Sequence, residues 1–205
     1  NCCSVNAPRG LGMIRDWAVM RTPAGFALNW YGPGSFTIPF EKRGSLVLTQ
    51  KSCYPSGGFT ELRIGLDAPR EFALDLRIPA WSERTSVSLN GTKQENVRPG
   101  TYLKLDRTWK NGDTLTIDLD LSPHFWMGER ECAGKTSIYR GPILLAWDQR
   151  WNEGTLNELP ELDASKLAFL PAEDASFPSP WVLFRVKAAD GREIVLSDFA
   201  TAGMT

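Results

Sequence analysis

Thr114-Leu115-Thr116-Ile117-Asp118-Leu119-Asp120-Leu121 decides the fold class. Leu115, Ile117, Leu119 and Leu121 occupy every second position, with Thr116, Asp118 and Asp120 between them. Successive side chains of an extended strand point to opposite faces, so this pattern predicts a strand with one buried and one solvated face. Asn111-Gly112 precedes it and Asn90-Gly91 lies further upstream; both are tight-turn signals between strands. Phe72, Leu74, Leu76 and Ile78 alternate with Ala73, Asp75 and Arg77 in the same way. Residues 45–49 and 61–66 read as further strands. Turn signals recur about every ten residues, the rhythm of a β-sandwich.

Toward the N-terminus the period changes. Asn6 is a candidate N-cap and Pro8 suits a first helical turn. Leu11, Ile14 and Ala18 then share one helical face, and Met13, Trp17 and Met20 a neighbouring one. Apolar residues over so much of the circumference predict a helix packed on two sides. Pro23 and Gly25 are read as its end, and Phe26, Leu28 and Trp30 as one face of the first strand.

Toward the C-terminus, residues 122–134 read as a connector. Strands are expected at 137–139 and 143–147, an irregular excursion rich in Glu, Asp, Pro and Ala at 152–180, and a last hairpin at 182–196 around Asp190-Gly191. The reading is a mostly β chain with one helix: a helical segment 1–22, a first β-sandwich 23–130 and a second, incomplete β-sandwich 131–205.

Composition narrows the partners. The net charge is −1 and the basic residues are scattered, which argues against nucleic acid and anionic membranes. No apolar run is long enough for a spanning helix. Four cysteines, Cys2, Cys3, Cys53 and Cys132, show no CxxC spacing and do not make a disulfide framework in a chain of this length. Cys53 and Cys132 are expected to be half-buried thiols rather than a bridge.

Cys2 and Cys3 are the candidate chemical centre. Adjacent cysteines are poor disulfide partners, because bridging them strains the ring. Two thiols just before a helix N-terminus, with Arg9 nearby, sit where the helix dipole favours negative charge. Thiolate is both a nucleophile and a zinc ligand, yet two thiolates do not complete the usual four-ligand zinc site. The competing explanation is a pair of buried structural cysteines.

The segment Cys2-Cys3-Ser4-Val5-Asn6-Ala7-Pro8-Arg9 resembles the Cys-Cys-x-x-Asn-x-x-Arg motif of the β-L-arabinofuranosidase family, glycoside hydrolase family 127. Later segments resemble the same family in the same order: Ile78-Pro79-Ala80-Trp81-Ser82 with Val87-Ser88-Leu89-Asn90-Gly91, then Pro99-Gly100-Thr101-Tyr102-Leu103 through Arg107-Thr108-Trp109-Lys110-Asn111-Gly112-Asp113, then Tyr139-Arg140-Gly141-Pro142-Ile143. The resemblance implies an (α/α)6 barrel followed by two β-sandwich domains, of which this chain would hold the last barrel helix and the sandwiches. It implies that Cys2 is the nucleophile of a retaining reaction and touches a zinc ion, and that Cys3 is a zinc ligand. The remaining ligands and the acid/base residue would lie upstream. The implied substrate is an arabinose-containing or related plant glycan, and the isolated chain is expected to be inactive. The sequence departs from the family at Ser4-Val5, where many members carry Pro-Pro, and at Asn29-Trp30-Tyr31-Gly32-Pro33-Gly34.

Two other functions are open from the residues. Eight tryptophans could make a carbohydrate-binding module, with Trp81, Trp109, Trp126 and Trp151 at strand ends or connectors and Trp17, Trp30 and Trp147 in core-like runs. Alternatively the sandwiches brace a catalytic domain, and the helix face bearing Leu11, Ile14 and Ala18 drives self-association. His124 is the single histidine, so a Ser-His-Asp triad could form only around it, and a packing or surface role is expected. Asp75, Asp118 and Asp120 read as solvated strand faces rather than paired catalytic carboxylates. Asn90-Gly91-Thr92 fits a glycosylation sequon, but a tight turn explains it.

Overall fold

The computed structural model describes residues 2–41, 43–154, 159–163, 167–173 and 179–203, with the side chain of Cys2 outside the described set. Parts of the expected 152–180 excursion fall outside it as well. The chain divides into two units, residues 1–120 and 121–205.

Helix α1 runs Cys2–Ala18. It starts earlier than expected: Asn6 and Pro8 lie inside it, not at its cap. Pro8 stands in the second turn, where it removes the hydrogen bond that an N–H would make to the carbonyl of Ser4 and its ring crowds that carbonyl. The helix also ends earlier than Pro23. Its last carbonyls are taken by one residue from further along: Asn29 donates its backbone N–H to Ala18 O at 2.8 Å and its Nδ2 to Trp17 O at 2.9 Å. Met20 therefore belongs to β1 (Val19–Thr22), and Pro23 sits in the turn to β2 (Gly25–Leu28). The expected two-sided packing is not made among the described residues: Leu11 is 70 % exposed and Trp17 50 %, and only Ala18 is buried.

Unit 1 continues with β3 (Gly34–Pro39), β4 (Ser45–Ser52), β5 (Phe59–Gly65), β6 (Arg70–Arg77), β7 (Ser86–Leu89), β8 (Thr92–Lys93), β9 (Tyr102–Trp109) and β10 (Thr114–Asp118). One sheet has the order β1-β2-β6-β9 and the other β3-β4-β5-β10-β7-β8. All pairs are antiparallel except β2 with β6. The alternation read from the sequence becomes the core: Leu74 and Leu76 of one sheet join Leu48, Leu62, Ile64, Val87, Leu115 and Ile117 of the other in a single apolar cluster. Asn90-Gly91 closes the β7–β8 hairpin with φ of 49° and 81°, the left-handed pair that a two-residue primed turn requires. Asn111-Gly112 does something else. It carries the chain from β9 in one sheet to β10 in the other, so it is a corner and not a hairpin.

Unit 2 is built on β11 (Pro123–Met127), a 3-10 turn (Arg130–Cys132), β12 (Thr136–Arg140), β13 (Ile143–Trp147), β14 (Leu170–Pro171), β15 (Leu183–Lys187) and β16 (Glu193–Asp198). These form one antiparallel sheet in the order β11-β12-β13-β16-β15-β14. The expected connector thus contains a strand, whose pairing with β12 places it in unit 2, so this unit starts at Leu121 rather than at residue 131. The sheet rolls on itself: Phe125 of one edge strand lies 6.4 Å from Phe169, which precedes the other edge strand, and Phe169 meets Phe184 edge-on at 5.8 Å. The enclosed core is Ile138, Leu145, Phe184, Val186, Ile194 and Leu196.

Candidate functional site

Cys3 is exposed in the first turn of α1. It is not the buried structural cysteine of the competing explanation. Cys2 shares that turn through its backbone, and its thiol lies outside the described residues. Among the described residues, no three His, Cys, Asp or Glu side chains are placed to hold a metal ion. The donor chemistry at Cys3 suits zinc, but the described residues do not make a zinc site by themselves.

What the structure does supply is a mount for the helix. The Asn29 amide grips the C-terminal turn of α1, as above, and its Oδ1 accepts a hydrogen bond from the Tyr102 hydroxyl of β9. Tyr102 comes from the Pro99-Gly100-Thr101-Tyr102 motif. That motif is in turn tied to Ile78, whose N–H reaches Thr101 O at 2.8 Å while Gly100 N–H reaches Ile78 O at 3.0 Å. One polar chain therefore runs from two sequence motifs to the end of the cysteine-bearing helix. Asn29 was not singled out by the sequence reading, because its stretch looked divergent and its partners are remote in sequence.

The remaining motifs of unit 1 make a second knot. Asp113 is nearly buried, and its carboxylate accepts from Asn90 Nδ2 at 2.8 Å and from Lys110 N–H at 2.9 Å, with Arg107 at 3.8 Å. Asn90 Oδ1 accepts in turn from Thr114 N–H at 2.9 Å. Burial pushes the Asp113 pKa up, but the bonds from Lys110 and Asn90 and the nearby cations outweigh it, and the net shift is downward. Ser82, from the Ile78–Ser82 motif, is fully buried and accepts from Asp120 N–H at 2.7 Å. Asp120 pairs with Arg84 at 2.8 Å. Trp109 is also fully buried and donates Nε1–H to Phe72 O at 3.0 Å. These residues are turn and corner builders; their polar groups are spent on backbone groups and on one another.

Unit 2 holds a shallow groove of about 530 Å³, whose lining includes Arg140, Pro171, Ala172, Glu173, Trp181 and Phe184. Arg140 belongs to the Arg140-Gly141-Pro142 motif, and its guanidinium lies over the Phe184 ring at 5.8 Å. Burial lowers its pKa from the ordinary arginine value. Elsewhere in the unit, Asp148 is buried and accepts from Arg150 Nη2 at 3.1 Å, Arg150 N–H at 2.8 Å and Gly203 N–H at 2.7 Å. Burial raises its pKa, and these bonds more than offset that, so the net shift is downward.

The other candidates fall as follows. His124 is half-buried and stacks on Tyr139 at 5.4 Å, a packing role for its ring. Asp118 is exposed on its strand and Asp75 half-buried. Cys53 and Cys132 are exposed thiols, not half-buried ones. The tryptophans depart most from expectation. Trp109 is core; Trp17 and Trp30, read as core, are exposed; Trp126 and Trp181 are the most exposed of all, at 72 % and 61 %. Trp81, Trp147 and Trp151 are half-buried.

Residues 25–121 match the family model described as Beta-L-arabinofuranosidase, GH127 middle domain. Among solved structures, the chain is similar to a GH127 β-L-arabinofuranosidase from Geobacillus stearothermophilus T6, with a TM-score of 0.81 and 19 % identity over 97 % of this chain and 34 % of that one. It is also similar to a glycoside hydrolase, with a TM-score of 0.83 and 22 % identity over 96 % of this chain and 36 % of the other. A GH127 β-arabinofuranosidase matches with a TM-score of 0.72 and 20 % identity over 85 % of this chain and 32 % of its own. No curated protein matches the sequence. The chain spans about a third of the length of these structures. The resemblance read from the motifs is matched by these comparisons: residues 25–121 are similar to a GH127 middle domain, and the chain shares the fold of GH127 β-L-arabinofuranosidases.

Proposed function

We propose that this chain is the β-rich portion of a retaining glycoside hydrolase acting on arabinose-containing or related plant glycans. The observation that carries the proposal is the mount: a helix bearing Cys2 and Cys3 in its first turn is locked at its other end, through Asn29 and Tyr102, to a GH127 middle domain. A nucleophile must be held within a fraction of an ångström of its working position, and anchoring its helix to a rigid sandwich serves that need.

In the proposed reaction the Cys2 thiolate attacks the anomeric carbon. A carbon–sulfur bond forms, the glycosidic carbon–oxygen bond breaks, and the leaving oxygen takes a proton from an acid on the opposite face. Water then displaces the sulfur with the same group acting as base, restoring the original configuration. The acid/base group is proposed to come from residues other than those described. Zinc is the proposed metal because thiolate is among its preferred ligands, with Cys2 and Cys3 contributing two of the usual four.

The test is a pair of measurements. The isolated chain, given a p-nitrophenyl β-L-arabinofuranoside, is expected to show no turnover and less than stoichiometric zinc. In the complete gene product, Cys2→Ser is expected to cost about a thousandfold or more in kcat while Cys3→Ser lowers zinc content. Undiminished turnover in Cys2→Ser overturns the nucleophile assignment, and stoichiometric zinc with turnover in the isolated chain overturns its dependence on other residues.

A further inference from the structure

We infer that the groove of unit 2 formed by Arg140, Glu173, Trp181 and Phe184 is a binding subsite for a neutral saccharide. Trp181 provides the platform. Trp181 is 61 % exposed, yet its backbone N–H donates at 2.7 Å to Oδ2 of Asp198, a fully buried residue. Thr201 holds the same carboxylate through its N–H at 3.0 Å and its hydroxyl at 3.0 Å. The anchored backbone fixes where this exposed ring starts, and an indole has only two side-chain torsions to order when a sugar face covers it. The ring's apolar face complements the C–H face of a sugar, while its edge stays wet.

Polar groups converge on the same groove. Arg140 brings a planar fork of N–H donors, oriented by its contact with the Phe184 ring, and Glu173 brings a carboxylate acceptor. Each sugar hydroxyl both donates and accepts, so adjacent hydroxyls suit one cation and one anion together. An acidic sugar would gain from Arg140 and lose to Glu173, which selects neutral rings. An apolar groove with a few convergent polar groups is the usual form of a small-ligand site. Trp126, although more exposed, is not part of this groove. The subsite also gives the Arg140-Gly141-Pro142 motif a task that the cysteine chemistry leaves unassigned.

The proposal rests on the saccharide chemistry of the proposed function but not on Cys2, and its test reads binding rather than turnover, so the two can fail separately. Isothermal titration calorimetry of the chain with a neutral arabino-oligosaccharide is expected to give saturable binding. Trp181→Ala is expected to weaken it by about tenfold or more, a change of ~1.4 kcal/mol, with the thermal midpoint unchanged. Arg140→Met weakens it further from wild type than Trp126→Ala, which leaves it unaltered. Absence of binding, or equal affinity in Trp181→Ala, overturns the proposal. Tighter binding of an oligogalacturonide than of the neutral sugar overturns its ligand class.

Discussion

The two units solve the same problem with different reserves. In unit 1 two sheets face each other, and the core side chains are sealed: Trp109, Leu74, Ile64, Leu115 and Ile117 are fully buried. In unit 2 a single sheet rolls up, and even Val186, its most buried apolar core residue, keeps 2 % exposure while Ile138, Leu145 and Leu196 keep 5–6 %. The difference follows from area. Two broad facing sheets exclude water from both sides of a cluster, whereas one curled sheet must close its open side with loop residues such as Leu162, Leu167 and Phe169. Sealed packing gives a rigid base, and unit 1 carries the cysteine helix. Looser closure leaves large aromatics at the surface, and unit 2 carries the groove.

The comparison is most severely tested by truncation. Trp109→Ala is expected to cost about 3–5 kcal/mol, because it opens a cavity in a sealed core and removes the hydrogen bond to Phe72 O. Phe184→Ala in unit 2 should cost less, about 2–3 kcal/mol, since that core is already partly open and can relax. Denaturant melts of both variants, with hydrogen exchange to locate the loss, check the order; a larger cost at Phe184 breaks the comparison.

Acid stability sharpens it. Asp113 in unit 1 and Asp148 in unit 2 both titrate below their ordinary value of 3.8 when folded. Their stabilisation is therefore fully present above the unfolded pKa and is lost as pH falls from about 3.8 through the lower folded values. Asp113→Asn should flatten that limb in the exchange of unit 1 amides and Asp148→Asn in unit 2, each costing about 1–3 kcal/mol at neutral pH. An acid limb that both substitutions leave unchanged would mean that other carboxylates control it.

The smallest effect is expected at the helix mount. Tyr102→Phe removes one exposed hydrogen bond to Asn29 and should cost about 0.5–1.5 kcal/mol, seen as faster exchange of the last-turn amides of α1 with the sandwich core unaffected. Unchanged exchange there would show that Asn29 holds the helix without Tyr102.

Much of unit 1 is legible in the sequence because its strands face a dry core on one side and water on the other. Leu115, Ile117, Leu74 and Leu76 announce themselves by alternation, and Asn90-Gly91 by its φ requirement. Unit 2 is less legible. The strand 123–127 has neither face fully buried, so its residues show no clean alternation. The tryptophans were misassigned for a related reason: an indole carries the same local signal whether it ends in a core or on a surface. Trp109 is buried because Phe72 and the facing sheet surround it; Trp30 keeps 37 % of its surface in water, its ring lying against Gly32. The end of α1 was misplaced because its cap, Asn29, is remote from the turn it satisfies.

The sequence by itself determined the β class, the buried faces of several unit 1 strands and the family resemblance, since these depend on period-two patterning and on short turn motifs that act locally. Only the tertiary structure decided which motifs build turns and which face a groove, because Asp113, Asn29, Arg140 and Trp181 take their roles from partners far away in the chain. The cysteine pair shows both halves of this. Its chemistry is written in two adjacent letters, while the rigidity proposed to aim it comes from a tyrosine and an asparagine that only folding brings to the end of its helix.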